Sequence, residues 1–137
     1  MKIAYLDCFS GISGDMMIGA LLDAGYPIEE LRKVLQSLPL QGYSLEVTRE
    51  ERNHLFGTRF NVKVTKDPQP HRRFSDIRNL LLAGDLSPSV RDKSIAIFES
   101  LAVEEAKIHG CAVEEVHFHE VGAVESIVDI VCRVFGM

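Results

Sequence analysis

Residues with metal-ligand chemistry are concentrated near the C-terminal end of the chain. His117, His119 and Glu120 place two imidazoles and a carboxylate in one short run. In an extended segment, side chains two positions apart point to the same face, and a turn at Gly122 would bring the carboxylate towards both imidazoles. These ligands suit nickel, zinc, manganese or iron, so the run predicts a metal site without naming the ion. A strand with two polar residues on its solvent-exposed face is the alternative.

Two further carboxylates follow in a predicted helix. Glu125 and Asp129 are four positions apart and therefore share one helix face. Like charges at that spacing destabilise a helix by roughly 0.2–0.5 kcal/mol. Beside His119 they could form an outer layer that holds an imidazole N–H or a second cation. The solvated face of an ordinary amphipathic helix is the alternative interpretation.

A second polar cluster lies near the beginning of the chain, where a predicted strand passes through a Gly/Ser loop into a predicted helix. Its candidate residues are Asp7, Cys8, Ser10, Gly11, Ser13, Gly14 and Asp15. Backbone N–H groups in such a loop, with a helix N-terminus behind them, form an anion site, although the P-loop pattern is absent. Two aspartates would repel a phosphate unless a divalent cation bridged them, so metal coordination by Asp7 and a purely structural glycine turn both stay open. We expect this cluster and the histidine-containing run to meet in one site.

The remaining candidates are single residues or lie in loops. Cys8 can be a soft metal ligand, a nucleophile or a small core residue. His71, Arg72 and Arg73 follow prolines in a predicted loop, where the arginines could clamp a phosphate or carboxylate and the imidazole could join the metal site. An exposed, solvated loop is the alternative. The other cysteines are predicted to be structural and the other histidines to lie on the surface: Cys111, Cys132, His54 and His109.

Hydrophobic periodicity predicts the elements that carry these residues. Apolar residues at helical spacing indicate helices, and alternation over 43–48 and 60–64 indicates two half-buried antiparallel strands. The full set is a buried strand over 2–7, helices over 15–24 and 27–38, the two strands, helices over 75–82 and 88–109, an extended segment over 113–119 and a helix over 124–134. This order, β-α-α-β-β-α-α-β-α, predicts an α/β fold of mixed α+β layers in which helices pack on a small mixed sheet.

Local signals predict where several of these elements begin and end. Ser87 before Pro88 opens the longest helix, and Gly110 stops it. Ser75 is the predicted N-cap of the shorter helix before it. The polar connector over 50–58 exceeds a tight hairpin turn, so it is expected to reach over a site. The core-facing stripe of the longest helix is predicted to be Ile97, Phe98, Leu101 and Ala102.

The composition is that of one domain with an apolar core. Of 137 residues, 46% are hydrophobic, which argues against intrinsic disorder. A net charge of −5 without basic blocks argues against a nucleic-acid partner. No apolar run reaches the roughly 20 residues that a membrane span needs. The three cysteines lack a CxxC spacing and the N-terminus lacks a cleavage-type region, so we predict a cytoplasmic protein with reduced thiols.

Two long motifs resemble the signatures of one known family. Residues 5–16 (Tyr-Leu-Asp-Cys-Phe-Ser-Gly-Ile-Ser-Gly-Asp-Met) resemble the N-terminal signature of the LarC family, the nickel-insertion proteins of the lactate racemase cofactor pathway. Residues 117–123 (His-Phe-His-Glu-Val-Gly-Ala) together with 126–130 (Ser-Ile-Val-Asp-Ile) resemble its second signature. The helices and hairpin between them follow the family's general pattern, so the resemblance spans nearly the whole chain.

The resemblance implies a nickel chelatase, or cyclometallase. Such a protein inserts nickel into a pyridinium bisthiocarboxylic acid mononucleotide by forming nickel–carbon and nickel–sulfur bonds, and the family chemistry also uses CTP with manganese or magnesium. The implied nickel ligands are His117, His119 and Glu120. Asp7 and Cys8 would complete the catalytic site. The loop over 10–15 would complete the same site or receive the phosphate of the nucleotide substrate.

Comparison with the family pattern also predicts what this chain lacks. Family members are far longer, so residues 1–137 are expected to be an N-terminal domain or fragment, with the CTP site in a C-terminal half or partner chain. Only His71 stands in the loop where the family carries a His-rich tract, and Glu125 stands where it commonly has Asp. Two other functions stay open, a nickel-trafficking module without catalysis and a metal-dependent phosphohydrolase. Assembly into a homo-oligomer is also left open.

Overall fold

A computed structural model of the chain describes residues 4–65, 70–118 and 123–136. Its elements in chain order are α1 (Gly14–Asp23), α2 (Ile28–Gln36), β1 (Tyr43–Arg52), β2 (Leu55–Val64), β3 (Arg72–Arg73), α3 (Phe74–Ala83), α4 (Pro88–His109), a 3-10 turn (Val113–Glu115), β4 (His117–Phe118) and α5 (Val124–Gly136). The strands form two antiparallel pairs, β1 with β2 and β3 with β4. The predicted α/β class is confirmed, but two separate two-stranded sheets replace the expected single mixed sheet.

The last helix, α5, forms the centre of the core. It packs against α1, α2, α4 and β2, and its apolar face is fully buried at Val124, Ile127, Val128 and Val131. The other large, fully buried side chains of the same core cluster are Ile18, Leu31, Leu35, Phe60, Phe74, Ile77, Leu81 and Phe98. Burial of each such side chain stabilises the fold by roughly 1.5–3 kcal/mol. The buried apolar face of α5 therefore determines which of its other faces points towards α1.

Both N-terminal helices begin and end close to the predicted residues. Ser13 is the N-cap of α1, and Asp15 lies in its first turn, where a carboxylate interacts favourably with the helix dipole. Gly25 follows the helix with a φ of 94°, a left-handed conformation that glycine adopts without steric cost. Pro27 is the N-cap of α2, one position before the predicted place.

The hairpin is longer and tighter than the sequence pattern predicts. The ladder runs from Tyr43 opposite Val64 to Arg52 opposite Leu55, so the expected polar connector over 50–58 is wrong and most of it is strand. Two residues close the hairpin, Asn53 with φ 51° and His54 with φ 65°. Two left-handed residues match the twist of the flanking strands, and Asn and His tolerate that conformation better than most residues.

The boundaries of α4 agree with the prediction, whereas the start of α3 does not. The Ser87 hydroxyl accepts a hydrogen bond from the Val90 backbone N–H, and Gly110 ends α4 with a φ of 63°. The N-cap of α3 is Arg73, because its backbone N–H donates to the Asp76 carboxylate at 2.8 Å. The predicted cap at Ser75 is therefore wrong. No helix in the described residues combines the length and the apolar character that a membrane span requires.

The buried stripe of α4 differs from the expected one. Phe98 and Ala102 are fully buried, but Ile97 and Leu101 are 36% and 40% exposed. The buried positions recur every fourth residue: Val90, Ser94, Phe98, Ala102 and Ala106. Because only this narrow stripe faces the neighbouring elements, the adjacent apolar positions fall at the edge of the contact.

The segment between α4 and α5 is extended over a shorter stretch than expected. Residues 113–115 form a 3-10 turn, and the extended pairing is limited to His117 and Phe118. These two residues pair with Arg73 and Arg72 across the short β3–β4 ladder. His119, at the end of the predicted extended segment, lies outside the described residues.

The segment before α1 is not the buried strand that its apolar residues predict. Residues 4–8 have no strand pairing, and Tyr5 and Leu6 are 88% and 49% exposed. A strand needs a neighbour to satisfy its backbone hydrogen bonds, and neither described sheet includes residues 4–8 as a further strand. Lys2 and Ile3, at the start of the predicted strand, lie outside the described residues.

Candidate functional site

The two polar motifs approach each other where α1 begins beside the middle of α5. A Cβ atom added to Gly14 would lie only 2.9 Å from Oδ2 of Asp129, so the carboxylate rests against the first residue of α1. A side chain at position 14 would therefore force the Asp129 carboxylate to move. The structure thus joins Gly14 from the N-terminal cluster to Asp129 from the C-terminal motif.

Asp129 is the most strongly perturbed carboxyl group in this region. Burial, and then the nearby charges of Asp15 and Glu125, raise its pKa to about 6. Its Oδ1 atom is buried and has no hydrogen-bond partner among the described residues. Asp15 is itself held by the Ser13 hydroxyl, which donates to its carboxylate. The sequence signal for this carboxylate cluster is the four-residue spacing of Glu125 and Asp129 in α5, which by itself predicts only an outer layer around a metal site.

A cleft of about 660 Å³ opens between the start of α1 and the far end of the hairpin. Asp15 lines it, and its charge acts on Arg59 across the cleft. Arg59 also donates to Glu50 at 2.7 Å, so the charges in the cleft are largely paired. The exposed apolar side chains Leu55 and Phe56 complete the wall. A mixed wall of this kind can hold a small molecule that carries both a ring and charged groups.

The short β3–β4 ladder joins a predicted anion-binding residue to a predicted metal ligand. Arg73 lies directly opposite His117 in the register. The guanidinium Nε–H of Arg73 donates to Nε2 of His117 at 3.1 Å. Both residues line a cleft of about 490 Å³ together with His109, Cys111 and Glu115.

Two of these cleft residues had no functional role in the sequence interpretation. Cys111 is exposed, so its predicted structural role is wrong. His109 lies on the surface as predicted, and its imidazole is 3.2 Å from the Glu105 carboxylate. Their positions on either side of Gly110, shortly before His117, are the signal that could have suggested a shared surface.

The predicted metal ligands are only partly within the described residues. His119 and Glu120 lie outside them, so the trio with His117 stays a prediction. Within residues 4–65, 70–118 and 123–136, no three His, Cys, Asp or Glu side chains are arranged to hold one metal ion. His71, a fourth predicted ligand, is exposed. Asp7 is also exposed and lies on the segment before α1.

The rest of the N-terminal cluster forms an exposed turn. The Gly11 backbone N–H donates to the Cys8 carbonyl at 2.9 Å, and Gly11 has a φ of 84°. Cys8 is exposed, which excludes the small-core-residue interpretation, and Ser10 is exposed beside it. Of the predicted loop residues, the structure brings Ser13 and Asp15 to the hairpin cleft.

The other predicted cation and the third cysteine are less accessible. Arg72 is partly buried, which lowers its pKa, while the neighbouring charge of Asp76 acts in the opposite direction. Cys132 is buried in the core, as a structural cysteine should be. Burial, and then the Asp129 carboxylate, raise the pKa of its thiol to about 12.

Comparison with known proteins identifies the family of this chain. Residues 4–137 match the family model described as nickel insertion protein. The chain belongs to the nickel insertion protein family. This confirms the resemblance of its two motifs, and no solved structure matches it.

Several curated family members are similar along the whole chain. A putative nickel insertion protein from Citrifermentans bemidjiense is 50% identical over 137 residues, which is 100% of this chain and 36% of that protein. A Geobacillus kaustophilus relative is 47% identical over 146 residues, again 100% of this chain and 36% of its own length. That relative is named pyridinium-3,5-bisthiocarboxylic acid mononucleotide nickel insertion protein. The chain therefore spans about a third of the length of the curated relatives it matches.

Proposed function

We propose that this chain takes part in inserting nickel into a pyridinium-3,5-bisthiocarboxylic acid mononucleotide. The observation that carries the proposal is the 47% identity, over the whole chain, to the Geobacillus relative of that name. In the same proposal, the product is the nickel-pincer cofactor of lactate racemase. Nickel and the pyridinium mononucleotide are then both substrates of the reaction.

The proposed roles divide between metal and nucleotide. His117, His119 and Glu120 hold nickel, because imidazole and carboxylate are suitable ligands for it. His71 is a further ligand candidate from the neighbouring loop. Formation of a nickel–carbon bond displaces a proton from the pyridinium ring, and a carboxylate such as Glu120 would accept that proton.

The N-terminal cluster is proposed to complete the reaction site. Asp7 is a second carboxylate for the proton or for the metal, and Cys8 is a soft ligand whose exposure would permit contact with nickel. The Gly/Ser loop over 10–15 and the cations Arg72 and Arg73 would bind the phosphate or a carboxylate of the substrate. The proximity of Arg73 to His117 supports a shared site for anion and metal.

The remaining parts of the reaction are proposed to lie outside this chain. The matched relatives are about three times as long, since the match covers 36% of them. We assign the CTP-dependent step, with manganese or magnesium, to that additional portion. This chain would act as a domain of 137 residues together with it, as one polypeptide or as a partner chain.

Nickel binding by the purified chain tests the metal part of this proposal. We expect isothermal titration calorimetry to detect Ni²⁺ binding that His117→Ala combined with His119→Ala weakens at least tenfold. His54→Ala is the matched control, because its imidazole is 99% exposed at the tip of the hairpin. Absence of Ni²⁺ binding, or equal binding by the double variant, would contradict the proposed ligands.

A second candidate is a nickel-trafficking module without its own catalysis. The short span of the chain relative to its relatives favours it, because one third of a protein can retain binding without turnover. Adding a separate C-terminal portion of a relative distinguishes the two functions. Restored nickel insertion supports the first candidate, whereas nickel transfer to an unrelated apo-protein without that portion supports the second.

A further inference from the structure

The hydrogen bond between Arg73 and His117 determines which imidazole nitrogen carries the proton. A guanidinium group has N–H donors and no acceptor. The Nε–H of Arg73 lies 3.1 Å from Nε2 of His117, so Nε2 must be the acceptor and the neutral imidazole must carry its proton on Nδ1. The lone pair of Nε2 is the same electron pair that a metal ion would need.

We propose that Arg73 is a displaceable cap on the metal-binding nitrogen of His117, and that an anionic group of the substrate removes the cap. A phosphate or carboxylate that pairs with the guanidinium draws Arg73 away, and Nε2 is then free to bind nickel. This inference rests on the proposed role of His117 as a nickel ligand. Arg73 acts through His117 and is therefore a positioning residue.

The position of the pair in the fold permits such an exchange. Pairing of β3 with β4 holds the two backbones in register, while the Arg73 side chain is exposed and can change rotamer without disturbing the core. Both side chains line the 490 Å³ cleft, which leaves room for an anionic group beside the guanidinium. An arginine forms stronger, bidentate hydrogen bonds with a phosphate or carboxylate than with a neutral imidazole.

The charges around the cleft favour a metal once Arg73 has moved. In the capped arrangement the guanidinium places a positive charge directly against His117, which repels a cation. Glu115 lines the same cleft, so its carboxylate attracts a cation and opposes an anion. Pairing of Arg73 with the substrate anion would neutralise the positive charge and leave Glu115 to favour nickel.

The cap makes the binding of anion and metal cooperative. If the anion raises the affinity for nickel by some factor, nickel must raise the affinity for the anion by the same factor. The chain would therefore bind free nickel weakly and hold it more tightly when the mononucleotide is present. Such coupling favours delivery of nickel to the substrate.

Calorimetric titration with Ni²⁺ tests the cap directly. We expect Arg73→Gln to bind Ni²⁺ about tenfold more tightly than the unaltered chain, because a hydrogen bond to a charged group is worth roughly that factor. Arg78→Gln is the control, since it removes the same charge from an arginine that pairs with Glu114 nearby. In a His117→Ala background, Arg73→Gln should have no effect.

If Arg73→Gln and Arg78→Gln change the Ni²⁺ affinity equally, the proposed cap is wrong. The loss of one positive charge near the cleft would then explain the change without any release of His117. An unchanged affinity in Arg73→Gln would overturn it as well, provided that His117→Ala weakens Ni²⁺ binding. If His117→Ala leaves Ni²⁺ binding unaltered, the proposed metal role of His117 fails instead. The two hypotheses therefore fail on different variants.

Two further measurements separate the cap from a structural role. Nicotinic acid mononucleotide, which carries a pyridinium ring, a carboxylate and a phosphate, should tighten Ni²⁺ binding severalfold in the unaltered chain and not in Arg73→Gln. Nicotinamide mononucleotide, which lacks the carboxylate, shows whether the phosphate suffices.

Nitrogen-15 NMR should find His117 protonated on Nδ1 in the unaltered chain, with the Nε2-protonated form gaining population in Arg73→Gln. Predominant Nε2 protonation in the unaltered chain, or no response to either mononucleotide, would overturn the inference.

Discussion

Replacement of Asp129 by Asn should stabilise the protein, and more so at high pH. The carboxyl group lies against Gly14, has a buried Oδ1 atom without a hydrogen-bond partner among the described residues, and faces the charges of Asp15 and Glu125. Its ionised form is therefore unfavourable in the folded state. Asn has nearly the same shape and carries no charge, so the substitution removes that cost with little change in packing.

The pKa sets an upper limit for the effect. A carboxyl group with a pKa of 3.8 when unfolded and about 6 when folded loses at most about 3 kcal/mol on full ionisation, because each unit corresponds to about 1.36 kcal/mol. The group is only partly buried, and solvent screening reduces such interactions. We therefore expect a gain of about 1 kcal/mol above pH 7, which corresponds to roughly 3–5 °C in Tm for a chain of this size.

The direction of the pH dependence follows from the raised pKa. Well below the unfolded-state pKa of 3.8, the carboxyl group is protonated in both the folded and unfolded states, so Asp129 carries no penalty there. As the pH rises through about 6 the unfolded state releases its proton more readily, and the folded protein loses stability. The free energy of unfolding of Asp129→Asn minus that of the unaltered chain should thus grow from a small fraction of its full value at pH 4 to the full value at pH 8.

Urea denaturation at several pH values measures this difference. Glu125→Gln is the matched control, because Glu125 lies on the same helix and its side chain is exposed. The control should change stability by no more than about 0.5 kcal/mol. A gain for Asp129→Asn that is the same at pH 4 and pH 8, or a loss that grows with pH, would refute the reasoning about a destabilising charge.

Two further substitutions test the packing that positions the site. Gly19→Ala should destabilise the protein by about 1–2 kcal/mol, because its Cβ would lie 2.5 Å from the backbone carbonyl oxygen of Thr58. Gly57→Ala is the control, since its Cβ would meet no atom within 4 Å, and equal urea midpoints for both variants would contradict the expected clash. Ser87→Ala should cost about 1 kcal/mol, because it removes the hydroxyl that accepts from the Val90 N–H at the start of α4. Thermal melts measure this loss, and an unchanged Tm would show that the Ser87 N-cap contributes nothing to stability.

The ends of α4 were predictable because they carry local chemical signals, whereas Ser75 gave a wrong start for α3. The boundaries of α4 are correctly predicted to the residue from Ser87, Pro88 and Gly110. Helix capping depends on side chains within one turn of the helix end. The hairpin turn lacked such a signal, because Asn53-His54 contains no glycine and the alternation of β1 gives way to a run of polar residues towards the tip. The strand expected before α1 failed for a different reason, since strand formation requires a partner that periodicity cannot reveal.

The sequence predicts individual residues of the candidate site but not the contacts between them. Residue type and spacing indicate that His117 can bind a metal and Arg73 an anion. Their direct contact depends on two-residue strands that are too short for any periodic pattern, and that are paired across the intervening α3 and α4. The raised pKa of Asp129 likewise depends on the packing of α1 against α5, which is a tertiary property.

The unequal placement of the three cysteines gives the protein a built-in reporter of unfolding. Cys8 and Cys111 are exposed, so a thiol reagent can modify them in the folded chain. Cys132 is buried in the core with a pKa raised to about 12, so both access and thiolate formation oppose its reaction. Once the two exposed thiols have reacted, the slow appearance of a third label measures how often α5 separates from the core. That rate can be followed by mass spectrometry under native conditions without an introduced probe.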